Sequence, residues 1–202
     1  MRIFLSFSLA LISTFALAFD CTTVPRDLAD MVAVDQALRF RLMGELPTLQ
    51  AGEHPHTADH LAVVDRSNTK RLKAILQHCG WPKESVVGAQ PGDNAWLLAQ
   101  HADHDLQFQL YVLRLLEAAV RSGEASAENL AYLADRVAIA QGHMQLYGTQ
   151  FHQPGNCEFE LEPVDDIAKV ETRRKELGMP TLTEYRRQME EMLARRCKGE
   201  GN

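Results

Sequence analysis

The segment QHADHDLQFQ, residues 100–109, sets His101, Asp105 and Gln109 four residues apart inside an otherwise apolar stretch. Residues four apart share a helix face, so a carboxylate at 105 would lie beside an imidazole at 101. A carboxylate on one ring nitrogen selects the tautomer and leaves the other nitrogen to take or give a proton. That is half of a general acid–base device, and it makes His101 and Asp105 the first candidate catalytic residues. A metal site built from His101, Asp105 and one outside ligand is chemically reasonable. No HExxH-like signature or second short-spaced ligand pair accompanies it, so neither a metal nor another cofactor is predicted.

Two further polar groups interrupt apolar patterns. Asp135 and Arg136 stand side by side in ASAENLAYLADRVAIAQ, residues 125–141, where almost every helical direction is apolar. Consecutive residues diverge by about 100°, so each needs a partner elsewhere. Asp135 joins the candidate catalytic set, and Arg136 is a candidate clamp for a carboxylate or phosphate. The loop GHMQLYGTQF, residues 142–151, follows directly. Its glycines permit tight turns, so Gln145, Tyr147 and Gln150 can offer hydrogen bonds to a polar ligand. No P-loop or Gly-x-Ser-x-Gly motif is present, and neither Ser85 nor Ser126 sits in a nucleophile context.

These groups must be positioned by helices, because period-3.6 patterning dominates and strand-type alternation is scarce. Helices are predicted over Arg26–Leu46, Leu61–His78, Asn94–Arg121, Ala127–Gln141, Asp165–Leu177 and Thr183–Cys197, with Ser126 as a cap and a short strand conceivable near Phe159–Leu161. The expected fold is all-α, an irregular single-domain bundle of about five to seven helices. Along Asn94–Arg121, Gln100, Asp103 and Gln107 project to solvent, whereas His101, Asp105 and Gln109 continue into Val112, Leu116 and Ala119. Asp35 and Arg39 read as an i, i+4 surface or half-buried ion pair, and Asp65 and Asn68 as caps of the second helix. Arg173 and Arg174 read as more often solvated than functional, with one able to reach an acidic site. His54, His56 and His60 fall in the polar stretch AGEHPHTADH and read as incidental.

Residues 1–18, MRIFLSFSLALISTFALA, combine Arg2, an apolar run and a small-x-small ending, the pattern of a signal peptide cleaved after Ala18. Cleavage leaves residues 19–202 and removes one positive charge, so the net charge of −6 becomes −7. An acidic chain without a basic stripe is a poor nucleic-acid binder, and no membrane association is expected after cleavage. Four cysteines in an exported chain favour two disulfides. Three pairings exist; Cys21–Cys79 with Cys157–Cys197 is preferred because each tethers a terminal segment. The predicted location is periplasmic or secreted.

AWLLAQHAD at 95–103, AYLADR at 131–136 and QLYGTQ at 145–150, with GWP at 80–82 and GMPTLTEY at 178–185, resemble a bacterial domain-of-unknown-function family. The resemblance covers about residues 27–185. It implies one contiguous domain whose motifs belong together, and it supplies no activity. The leading expectation is an exported acid–base enzyme, such as a hydrolase. The alternative is a non-enzymatic periplasmic module that binds a small polar ligand or a protein partner.

Overall fold

The computed structural model describes residues 19–46, 50, 53–152 and 158–197. Eight α-helices follow one another among these residues, with one two-stranded sheet, so the chain is all-α. Residues 1–18 lie outside the described residues. No described helix is long and apolar enough to cross a membrane.

A 3-10 turn at Cys21–Thr23 leads into α1, Val24–Glu45, where Pro25 sits in the first turn. Helix α2, His56–Cys79, returns alongside it, and the Cys21–Cys79 disulfide joins the start of one to the end of the other. The preferred pairing of these two cysteines is therefore correct. Cys197 is also disulfide-bonded, while Cys157 lies outside the described residues. Helix α2 begins five residues earlier than the apolar pattern predicts. Pro55 supplies the extended residue before it, and the Glu45 carboxylate accepts from the Thr57 N–H and hydroxyl. That cap comes from the end of α1, so no local motif announces it. His56 and His60 are thus helical, and His54 pairs with Asp59 at the surface.

The short α3, Glu84–Val87, precedes α4, Ala89–Gln100, which packs on α1, α2, α5 and α6. Its Ala95 and Ala99 are fully buried, and these small side chains let the neighbouring helices approach closely. Helices α5, Leu106–Arg121, and α6, Ala127–Ala140, complete the bundle, with Ser126 capping α6 as expected. Leu28, Leu72, Ile75, Leu98, Val112 and Leu116 belong to one core. A short antiparallel pair, β1 at Phe151–His152 and β2 at Glu160–Leu161, leads to α7, Ile167–Glu176, and α8, Leu182–Cys197.

The expected helix over Asn94–Arg121 is in fact two. It stops at Gln100 and resumes at Leu106, which with α3 brings the number of helices above the five to seven expected. Two residues cause the break. Asp105 accepts from the Phe108 N–H and caps α5, a role that competes with helix continuation. Gln109 turns its amide back onto the Ala99 carbonyl at the open end of α4.

Candidate functional site

The linker between α4 and α5 carries most of the polar chemistry, and its side chains reach three different helices. His101 is at the C-cap of α4, with φ −85° and ψ 0°. Its Nδ1 lies 2.9 Å from Oδ2 and 3.1 Å from Oδ1 of Asp35 on α1. Asp103 accepts both hydrogen bonds of a fork from Arg136 Nη1 on α6, at 2.9 and 3.0 Å. Asp105 pairs with Lys73 on α2; that hydrogen bond and the Phe108 N–H hold its carboxyl below the usual aspartate range. His101 and Asp105 are therefore not partners. The break between the helices removes the i, i+4 relation that would have joined them.

Asp35 is the carboxylate that meets His101, and it is completely buried. Beyond His101 it accepts from Arg39 Nε at 3.1 Å and Gln36 Nε2 at 2.7 Å. Burial pushes its carboxyl up, but the hydrogen bond and charge of His101, with Arg39 and Gln36, outweigh burial and hold it below its ordinary value. Arg39 also donates from Nη2 to Asp65 on α2, at 2.7 Å. Burial raises the Asp65 carboxyl above its ordinary value; Arg39 pulls against that and the nearby Asp35 charge adds to it. Of the two placements expected for the Asp35–Arg39 pair the half-buried one holds, and the pair is the inner half of a four-residue cluster.

The tautomer of His101 follows from this geometry. Two carboxylate oxygens stand within 3.1 Å of Nδ1. Oxygen and a bare ring nitrogen would both be acceptors, so the proton belongs on Nδ1. The Arg39 Nε–H is shared between Nδ1, at 3.1 Å, and the two Asp35 oxygens, at 3.1 and 3.3 Å, and the anionic oxygens are the stronger acceptors. Nε2 then carries the lone pair. It has no hydrogen-bond partner among the described residues, and 17% of the His101 side chain is open to solvent. Asp35, Asp65 and His101 also offer ligand atoms within 4.8 Å of one another, a donor set suited to a divalent ion. Here the Arg39 guanidinium supplies the positive charge between the two carboxylates.

The other candidate residues assemble separately. Asp135 is completely buried, and its carboxylate accepts from the backbone N–H groups of Leu146, Tyr147 and Thr149 and from the Thr149 hydroxyl, at 2.7 to 3.0 Å. Burial pushes that carboxyl up against all four hydrogen bonds. Gln145, also buried, donates to the carbonyls of Gln150 and Glu162 and accepts from the Gln150 N–H. Gln150 donates to the Thr149 hydroxyl. Arg174 donates to the Tyr147 carbonyl at 2.7 Å and to the Pro180 carbonyl at 2.6 Å, with its guanidinium over the Tyr185 ring. It is fully buried, contrary to the solvated position expected, while Arg173 pairs with Asp165 and reaches the Leu146 carbonyl. Asp135, Gln145, Tyr147 and Gln150 therefore form one internally bonded loop anchor. Arg136, next to Asp135 in sequence, turns instead to Asp103.

Gln100 departs from expectation as well: it is 5% exposed, and its Oε1 is buried without a protein partner among the described residues. Asn68, one turn along α2 from Asp65, buries an unpartnered Nδ2 in the same way. The spacing did carry a signal for the cluster. Leu28, Met31 and Asp35 recur at steps of three and four on the buried face of α1, and the half-buried Asp65 stands at the same steps from the buried Leu61, Asn68 and Leu72 on α2.

The sequence profile of DUF6624, a family of unknown function, matches residues 23–198. The chain belongs to that family. The match runs beyond the predicted 27–185 at both ends, taking in α1 from near its start and α8 to its end. In this DUF6624 chain the His101 cluster, the Asp103–Arg136 fork and the Asp135 loop anchor all fall inside the matched region. No curated protein and no solved structure matches the chain.

Proposed function

We propose that the chain is an exported acid–base enzyme, of hydrolase type, whose working group is the His101 imidazole. One observation carries the reading: a buried carboxylate, Asp35, holds Nδ1 while Nε2 is left without a protein partner at a partly open position. A carboxylate behind an imidazole fixes its tautomer and orientation and stabilises the imidazolium formed when Nε2 takes a proton. Arg39 and Asp65 act as positioning residues, because they hold Asp35 and link α1 to α2. The unpartnered Gln100 and Asn68 amides are the candidates for meeting a polar substrate. Export is supported by the Cys21–Cys79 disulfide, a bond that persists in oxidising compartments.

The test is a panel of chromogenic esters, phosphoesters and peptides, assayed on the protein and on His101→Gln. Turnover that vanishes in the variant while its unfolding curve is retained supports the assignment; turnover that survives removes His101 from the chemistry. A second reading, a ligand-binding module, is favoured by a different observation. A cavity of about 460 Å³ opens around Trp81 and Trp96, away from His101.

A further inference from the structure

The Trp81–Trp96 cavity lies where the turn after α2, the short α3, the helix α4 and the start of α6 converge, and its chemistry is unlike that of the His101 cluster. Both tryptophans of the chain line it. So do four carboxylates, Glu84, Asp93, Glu124 and Glu128, whereas no Lys, Arg or His is among the lining residues. Two of the acids are already engaged: Glu124 accepts from the Ser85 N–H and hydroxyl, and Asp93 from Asn129 Nδ2. Glu84 and Glu128 are exposed, and their carboxylates have no hydrogen-bond or ion-pair partner among the described residues.

The helix ends do not cancel this charge. The N-termini of α4 and α6 each contribute roughly half a positive charge, and Lys83 lies close enough to Glu124 to draw its carboxyl down. Against four carboxylates the balance stays negative. The tryptophans add an independent observation. Trp81 is 91% buried, and the Nε1 atoms of both indoles are buried with no protein partner. A Cβ added at Gly92, another lining residue, would stand 3.6 Å from Trp81 Nε1, which places that N–H against the cavity wall. Indole faces attract organic cations.

We infer that this cavity is a binding site for a small organic cation, an ammonium or quaternary ammonium compound. The carboxylates of Glu84 and Glu128 meet the positive charge, and the indole rings cover its alkyl groups. The volume is within the range of small-molecule sites. The assignment is independent of catalysis at His101.

Because the chain has only these two tryptophans, their fluorescence reports the site directly. The full chain is titrated with choline and with ethanolamine, reading fluorescence and binding heat. Controls are the neutral dimethylbutanol isostere of choline and sodium chloride at equal ionic strength. The expected result is saturable binding of a cation at about millimolar Kd or tighter. It should weaken about tenfold or more in the Glu84→Gln, Glu128→Gln double variant and by a similar factor for the neutral isostere, a loss of one charge-assisted contact. Both glutamates are exposed, so the variant retains its fold, as circular dichroism checks; His101→Gln should bind as the unaltered chain does. The inference is overturned if neither cation gives a saturable signal in either readout. It is equally overturned if the neutral alcohol binds as well, or if the double variant binds with unchanged affinity.

Discussion

Replacing Asp35 by Asn tests the dyad without any substrate. The substitution keeps shape and removes one acceptor, and the neighbours decide which. Arg39 Nε donates to Oδ1 at 3.1 Å and at longer range to Oδ2 at 3.3 Å, and because a guanidinium can only donate, the closer contact is the one to keep. Oδ2 faces Gln36 Nε2 at 2.7 Å, and a glutamine amide can turn over to present its oxygen instead. The new amide therefore places its oxygen toward Arg39 and its NH2 at the Oδ2 position, 2.9 Å from His101 Nδ1. Nδ1 must then accept, and the ring proton moves to Nε2. A hydrogen bond to a charged group is worth about 1.5–3 kcal/mol, a tautomer preference of at least tenfold for Nδ1–H in the unaltered protein; the neutral amide bond of the variant is worth about 0.5–1.5 kcal/mol, a preference of about two- to tenfold for Nε2–H. Nitrogen-15 NMR of the histidine ring should read Nδ1–H in the unaltered protein and Nε2–H in Asp35→Asn. Breaking a buried ion pair costs about 3–5 kcal/mol, reduced here to roughly 2 because Arg39 is 27% exposed and keeps Asp65. Urea unfolding measures that loss. Acid adds a second signature: the lowered Asp35 pKa contributes stability that is complete above about pH 4 and is lost as pH falls through the lowered value. The variant should lack that part of the acid limb. Finding Nε2–H in the unaltered protein, or Nδ1–H in both proteins, would refute the orientation on which the proposed chemistry rests.

Asp135→Asn retains the Leu146 and Tyr147 hydrogen bonds if its oxygen takes the Oδ1 position, and orphans the Thr149 N–H; the expected loss is about 1–3 kcal/mol. Asp135→Ala orphans all three and should lose clearly more; equal stability of either variant in urea would show that the carboxylate does not hold the loop. Gly148→Ala combines a φ of +68° with a new Cβ 2.8 Å from Leu182 Cδ1, so a loss of about 1–3 kcal/mol is expected in thermal unfolding, and a neutral outcome would contradict the seating of the loop on α8. Replacing Cys21 and Cys79 by Ala opens a loop of 58 residues' separation and should remove roughly 4 kcal/mol by chain entropy, checked by comparing unfolding midpoints of the two proteins.

The helical architecture was legible because apolar spacing reports burial, and Leu28, Leu72, Leu98 and Leu116 all lie in the core that their spacing implies. Pairing was less legible, because it depends on tertiary placement. Four-residue spacing joined His101 to Asp105, and only the α4–α5 break sends one to α1 and the other to α2. The partner was visible in outline as Asp35, which repeats the step from Leu28 and Met31, but its i, i+4 neighbour Arg39 suggested a self-contained surface or half-buried pair. Asp135 was correctly marked as needing distant partners. That those partners would be backbone N–H groups of a following loop is a property of the turn and not of residue type. Arg174 was read as solvated because arginine usually is; its burial depends on carbonyls from Tyr147 and Pro180, neither of which its own helix supplies.

The α4–α5 break is also the strongest argument that the His101 cluster is more than a packing device. A continuous helix would carry His101 in its interior, its orientation set by α4 alone. In the broken form His101 is a C-cap residue, fixed on one side by Ala102, which is fully buried, and on the other by Asp35. Asp103 and Asp105 then tie the same linker to α6 and α2. Buried ionic clusters are often no more stabilising than apolar residues of the same volume, so stability alone gives little reason for two carboxylates, a guanidinium and an imidazole here. A site that must hold a proton-transfer group within a fraction of an ångström does need such support, from groups that are themselves locked. The linker meets that need with three tethers to three helices, and the ring nitrogen they leave without a partner is Nε2.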